Sequence, residues 1–171
     1  MRTYIVQGMH RSGTSFIAKS LFDQGIDMGK NLGEPNWANP HGYYENQDFI
    51  KLNTRILKSV GGEWDILPSK ERIEMAGNDF KEEIRTLIDN SKGEMWGWKD
   101  PRTTVTLPIY LYILEEDEDN DVYLICMFRK PKKVAASNEK VGNRSAERAE
   151  EITKDYNERL FDNIKEFLEY E

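Results

Sequence analysis

Cysteine is nearly absent from this chain: Cys126 is the only one in 171 residues. A single cysteine excludes an internal disulfide and any metal site built on several thiolates. Its setting, Val122-Tyr-Leu-Ile-Cys-Met-Phe128, predicts a buried core position. Positive charge is also short. Lys and Arg number 24 against 31 Asp and Glu, a formal net charge of −7. Bulk charge therefore argues against nonspecific binding to nucleic acid or to an anionic membrane, while leaving a local basic cleft open. There is no apolar span of 18 residues and no signal-peptide pattern at the N-terminus, so a soluble, cytoplasmic protein is expected. No internal repeat and no Pro/Ser-rich linker interrupts the chain, which predicts one domain over residues 1–171.

Strand and helix patterns alternate. Thr3–Gln7 reads as a strand, and Thr14 to Phe22 as a helix carrying Phe16, Ile17 and Leu21. Residues 23–43 are rich in Gly, Pro and Asn and predict a long ordered loop, a kind that usually has a function. Asn46–Val60 has Phe49, Leu52, Ile56 and Leu57 on one helical face and is stopped by Gly61-Gly62. Glu71–Asn90 is a further helix with Phe80, Ile84, Leu87 and Ile88 as its stripe. Met95–Lys99 is a short strand, and Thr103–Leu114 a helix containing Pro108. The acidic run 115–121 reads as a solvated loop. Val122–Phe128 is a nearly continuous apolar strand, as expected for a sheet covered on both faces. A helix from Val134 to Glu139 and an amphipathic helix from Ala146 to Leu168 follow, the latter with Ile152, Tyr156, Leu160, Ile164 and Phe167 inward. Alternation of this kind predicts an α/β fold, a parallel sheet flanked by helices in three layers.

Chemistry concentrates in Gly8-Met-His-Arg-Ser-Gly-Thr-Ser15, between the first strand and the first helix. Strand, glycine loop and helix together make an anion cradle of backbone N–H groups with the positive end of a helix dipole. Gly8 and Gly13 have the spacing of a Walker-type nucleotide loop, but Thr14 stands where an ATPase or GTPase has Lys. That Lys reaches the terminal phosphates, so its replacement argues against triphosphate hydrolysis. The cation lies inside the loop instead, as Arg11, whose planar fork stays charged at neutral pH and suits an anionic end group such as a sulfonate.

His-Arg-Ser-Gly-Thr-Ser at 10–15 resembles the 5′-phosphosulfate loop of the sulfotransferases that use 3′-phosphoadenosine 5′-phosphosulfate (PAPS), in the tyrosylprotein and bacterial branches, where the loop cation is Arg. Arg129 after a strand and Ser137 eight positions later resemble that family's 3′-phosphate site. Trp98-Lys-Asp-Pro-Arg102 resembles its Lys-Asp-Pro motif, and Asn39-Pro-His-Gly-Tyr-Tyr-Glu45 a Gly-aromatic-Glu segment of bacterial members. The likeness runs from about residue 3 to about residue 140.

The resemblance implies a P-loop architecture, PAPS as co-substrate, and sulfuryl transfer to a hydroxyl or amine by in-line attack. It implies that Arg11 and Lys99 stabilise the leaving group, that Ser12, Gly13, Thr14 and Ser15 hold the 5′ side, and that Arg129 and Ser137 hold the 3′-phosphate. Glu45 is the first choice of base, Glu34 the second and His41 the third. Asp100 is expected to be structural, with Lys99 or Arg11 as residues it could orient, Arg102 is a surface residue or a second ligand contact, and His10 shapes the loop. Trp96 and Trp98 are expected in the core; Trp37, Tyr43 and Tyr44 line an acceptor cleft or cover the sheet. No metal is implied. The acceptor is a small molecule, carbohydrate or peptide, with nucleic acid excluded and a homo-oligomer left open. Two other readings stand beside this one: a P-loop kinase or NTPase, and a nucleotide-binding module without catalysis.

Overall fold

The computed structural model describes residues 1–170 apart from Ala38, His41 and 141–144. Its elements are β1 (Arg2–Gln7), α1 (Thr14–Asp23), α2 (Gln47–Ser59), α3 (Lys70–Ser91), β2 (Met95–Lys99), α4 (Thr103–Leu114), β3 (Asp121–Cys126), α5 (Pro131–Glu139) and α6 (Ala146–Tyr170). The fold is α/β, with three parallel strands in the order β2-β1-β3. Helix α5 starts three residues earlier than the pattern predicts, because Pro131 fits the first helical position, where no N–H is needed. Among the described residues, no helix is long and apolar enough to cross a membrane.

Strand alternation sorts the side chains into two layers. Ile5, Trp96, Trp98, Val122 and Leu124 join the large core with α2, α3, α4 and α6. Its centre is aromatic: Phe49 stacks on Trp98 at 4.5 Å, and Tyr110 lies 5.3 Å from the same ring. Truncating a buried ring of this kind to alanine costs about 3–5 kcal/mol. On the other face Tyr4, Val6, Met95 and Ile125 meet α1 and the segment around Ile26 and Met28. Lys99 sits in register with Val6, at the end of β2 where the chain turns toward the carboxyl rim.

Two expectations fail here. Strand β3 is not covered on both faces: Tyr123 is 45% exposed, and Cys126 is only partly buried. At Tyr123 the reason is the uneven layering: on that face α1, ten residues long, packs on β1 and β2, whereas Cys126 lies on the opposite face beside Gln7. Tyr4 and Tyr123, stacked at 5.0 Å, are left at the surface.

The two sheet edges also differ. The segment after α1 closes the edge at β2: Asp27 donates its N–H to the Met95 carbonyl and accepts from Gly97. Among the described residues, β3 pairs with β1 and with no other strand.

Candidate functional site

Parallel strands end on one rim, so the segments after β1, β2 and β3 meet there. The loop after β1 is tightly specified. Gly8 has φ 142°, and a Cβ there would lie 2.6 Å from the Met127 carbonyl oxygen. Its N–H donates to Thr104 Oγ1 at 3.0 Å, which ties the loop to α4. Arg11 takes φ 67°, a left-handed conformation uncommon for a residue with a side chain. Gly13, at φ 105°, caps α1, so the N–H groups of Thr14 and Ser15 open the helix with no carbonyl behind them in that helix.

Lys99 leaves β2 with a side chain only 3% exposed. Its Nζ donates to Glu45 Oε1 at 2.5 Å, to Ser15 Oγ at 3.3 Å and to the Tyr43 carbonyl at 3.4 Å. Glu45, itself buried, reaches this point because Asn46 caps α2, its side chain accepting from the Asp48 N–H. Ser15 Oγ accepts a second bond from Asn39 Nδ2 at 3.2 Å. A hydroxyl has two acceptor sites and one proton. With both acceptor sites filled, the Ser15 proton is left as a donor.

The same polarity recurs across the cleft. Ser137 on α5 accepts from Arg11 Nε at 3.1 Å, which leaves its proton as a donor. Arg129, after β3, donates to the Arg11 carbonyl at 2.5 Å. The cleft between these groups has a volume of about 470 Å³ and is lined by Arg11, Gly13, Thr14, Ser15, Glu45, Lys99, Arg129 and Ser137 among others. Cations stand at two points in it. Lys99 is held at the loop with Ser15, and Arg11 reaches across to Ser137 beside Arg129. A larger cleft of about 630 Å³ between α2 and α3 shares none of these residues and mixes acids with bases.

Other candidates stand apart. Ser12 is buried and does not line the cleft, and its Oγ has no partner among the described residues. Glu34 is exposed and does not line it either. His41 lies outside the described residues. Asp100 orients neither Lys99 nor Arg11. It accepts from the N–H and Nη1 of Arg102, at 3.1 and 2.8 Å, and from Asn53 Nδ2 at 2.9 Å. Asn53, Thr103, Thr106 and Tyr110 extend this into a buried polar network under the rim. Arg102 is therefore tied inward as the partner of Asp100. Trp96 and Trp98 lie in the core, whereas Trp37 is 75% exposed.

His10 lines the cleft at the loop, its ring 4.9 Å from Trp64 in an edge-on contact. Its Nε2 is shut off from solvent and has no partner among the described residues. Burial first, then the charges of Arg102 and Lys99, lower its pKa to about 3. The imidazole is neutral at physiological pH and adds no charge to the cleft.

Three residues at or behind the site had no role in the sequence reading: Asn39, Thr104 and Asn53. The signal for Asn53 was present, as a polar residue beside Leu52 on the buried face of α2. Among the described residues no group of His, Cys, Asp and Glu converges in a way that would hold a metal ion. A scan against protein-family models, a search of curated proteins and a search of solved structures each returned no match. The arrangement offers hydrogen-bond donors and cations to a ligand at two points about one cleft, and one carboxylate in contact with a cation. Such an arrangement can hold anionic groups at two points and can take up a proton beside one of them.

Proposed function

We propose that this chain is a PAPS-dependent sulfotransferase with a P-loop architecture. The observation that carries the reading is Lys99, held between Ser15 of the glycine loop and the carboxylate of Glu45. A cation for the leaving group and a base for the acceptor stand side by side in a cleft lined with donors. PAPS supplies the sulfuryl group. The first-turn N–H groups of α1 and the Ser15 hydroxyl bind its 5′-phosphosulfate, and Arg129, Ser137 and Arg11 bind its 3′-phosphate.

Lys99 stabilises the charge that collects on the 5′-phosphate as the bridging S–O bond breaks. Glu45 takes the proton from the acceptor hydroxyl or amine as the new bond to sulfur forms. Both groups are already in position before the acceptor arrives, which favours in-line geometry. The acceptor is a small molecule, a carbohydrate or a peptide.

Adenosine 3′,5′-bisphosphate, the product nucleotide, tests the reading without an acceptor. At a hundred times its Kd, a ligand of the folded state adds about 2.7 kcal/mol of stability. A rise in melting temperature in the presence of EDTA is expected. Calorimetry on folded protein that shows no binding overturns the proposal. Binding combined with no turnover of PAPS on any acceptor reduces the protein to a nucleotide-binding module.

A further inference from the structure

The open edge of the sheet carries opposite charges at its two ends. Strand β3 presents its outer edge unpaired among the described residues, whereas Asp27 closes the edge at β2. Such an edge is a template for another strand, and proteins usually guard it with a bulge, a proline or a lysine. The residues of β3, Asp-Val-Tyr-Leu-Ile-Cys, include no proline and no lysine. Apolar surface lies near it, with Tyr123 45% exposed and Phe128 tilted against Phe161 at 4.6 Å, both half-exposed. Before β3 comes the exposed acidic run 115–119; after it come Arg129, Lys130, Lys132 and Lys133, all exposed.

This order of charge selects the partner. A second copy added parallel sets acid beside acid and base beside base. A second copy added antiparallel, about a two-fold axis at the middle of β3, sets the acidic run of each copy against the basic run of the other. Centred on Leu124, the pairing brings Glu118 of one copy opposite Lys130 of its mate. Antiparallel pairing also makes the contact self-complementary, so it closes at two copies and builds no filament. A nucleic acid or an anionic membrane meets the acidic run and a net charge of −7.

We infer that β3 is the dimerisation strand of this protein, joining two copies through an antiparallel β3–β3 pair and two reciprocal acid–base contacts. The inference is independent of the sulfotransferase reading, since it needs no ligand in the cleft.

Sedimentation velocity tests it with two charge-reversed variants. One carries Glu118→Lys and Asp119→Lys; the other carries Lys130→Glu and Lys132→Glu. All four side chains are exposed, and circular dichroism checks that each variant is folded. The native chain is expected to be a dimer in the micromolar range at low salt and to dissociate more as salt rises, because exposed charge contacts are screened. Each variant alone places like charges together twice and is expected to be a monomer. Mixed in equal amounts, the two restore both acid–base contacts and are expected to form a heterodimer. A native chain that stays monomeric, leaving the edge to a strand of some other protein, overturns the inference. A dimer that survives in either variant alone, or a mixture that fails to pair, overturns it as well.

Discussion

Asn163 on α6 donates its side-chain N–H to the backbone carbonyl of Thr104 on α4, at 2.9 Å. Thr104 is four residues before Pro108, and a proline inside a helix leaves the carbonyl four residues back without its usual donor. Asn163 supplies the missing bond and also donates to Gln7 Oε1 at 2.9 Å. Through Thr104, whose hydroxyl accepts the Gly8 N–H, the same residue supports the glycine loop.

Asn163→Ala is expected to lower stability by about 1–3 kcal/mol for each buried acceptor left unsatisfied. Denaturant titration measures this as a fall in midpoint at constant slope. In a Pro108→Ala background the cost at Thr104 is expected to shrink, because the helix then has its own N–H for that carbonyl. Equal losses in both backgrounds count against this account.

The pKa of His10, lowered to about 3, ties stability to pH. The unfolded chain binds a proton at His10 near pH 6.5, whereas the folded chain does so only near 3. Between those values the unfolded state holds more protons, so stability rises with pH and is lost as pH falls from about 6.5 toward 3. The slope from this one group reaches about 1.4 kcal/mol per pH unit. His10→Gln is expected to flatten the dependence between pH 7 and 5, above the range where carboxylates titrate. Stability curves of the two proteins with the same slope in that window rule the idea out.

Glu45→Gln keeps an oxygen for Lys99 and removes the base. Transfer is expected to slow by about 10²-fold or more, the range for a lost general base. The Kd of adenosine 3′,5′-bisphosphate is expected to change little. Single-turnover rates together with calorimetry separate the two. Loss of nucleotide binding in step with activity assigns Glu45 to the architecture of the cleft.

Arg11 Nε donates to Ser137 Oγ, so the proposed function assigns Arg11 to the 3′-phosphate. Arg11→Ala is expected to weaken adenosine 3′,5′-bisphosphate by about ten- to a hundredfold, the worth of one or two charge-assisted hydrogen bonds. Adenosine 5′-phosphate, which lacks the 3′ group, is expected to lose far less. The ratio of the two affinities is the test, and an equal loss for both places Arg11 at the 5′ side.

Local features could be read from the chain, and features made by contact could not. The glycine loop shows in the spacing of Gly8 and Gly13, and the apolar stripes of α2, α3 and α6 show in their periodicity. The direction of Arg11 does not show, because Ser137 is brought to it only by the parallel placement of β1 and β3. Asp100 follows Lys99 in sequence yet bonds Arg102 and Asn53, since successive residues past a strand end point different ways. The apolar run of β3 reads as doubly covered. A run of hydrophobic residues records what could be buried, while α1 packs chiefly on β1 and β2 and leaves Tyr123 exposed. Asn163 and Gln7 are 156 positions apart, and neither signals the other.

The central place of β1 bears on how the protein is made. Its six residues take their partners from 95–99 and from 121–126, and Gln7 takes a third from Asn163. Strand pairing between such distant positions is slow, because a long loop must close before any contact repays it. During synthesis the first strand emerges long before either neighbour exists. The glycine loop that follows β1 is therefore translated well before the segments that shape it and is among the last parts of this fold to acquire its form.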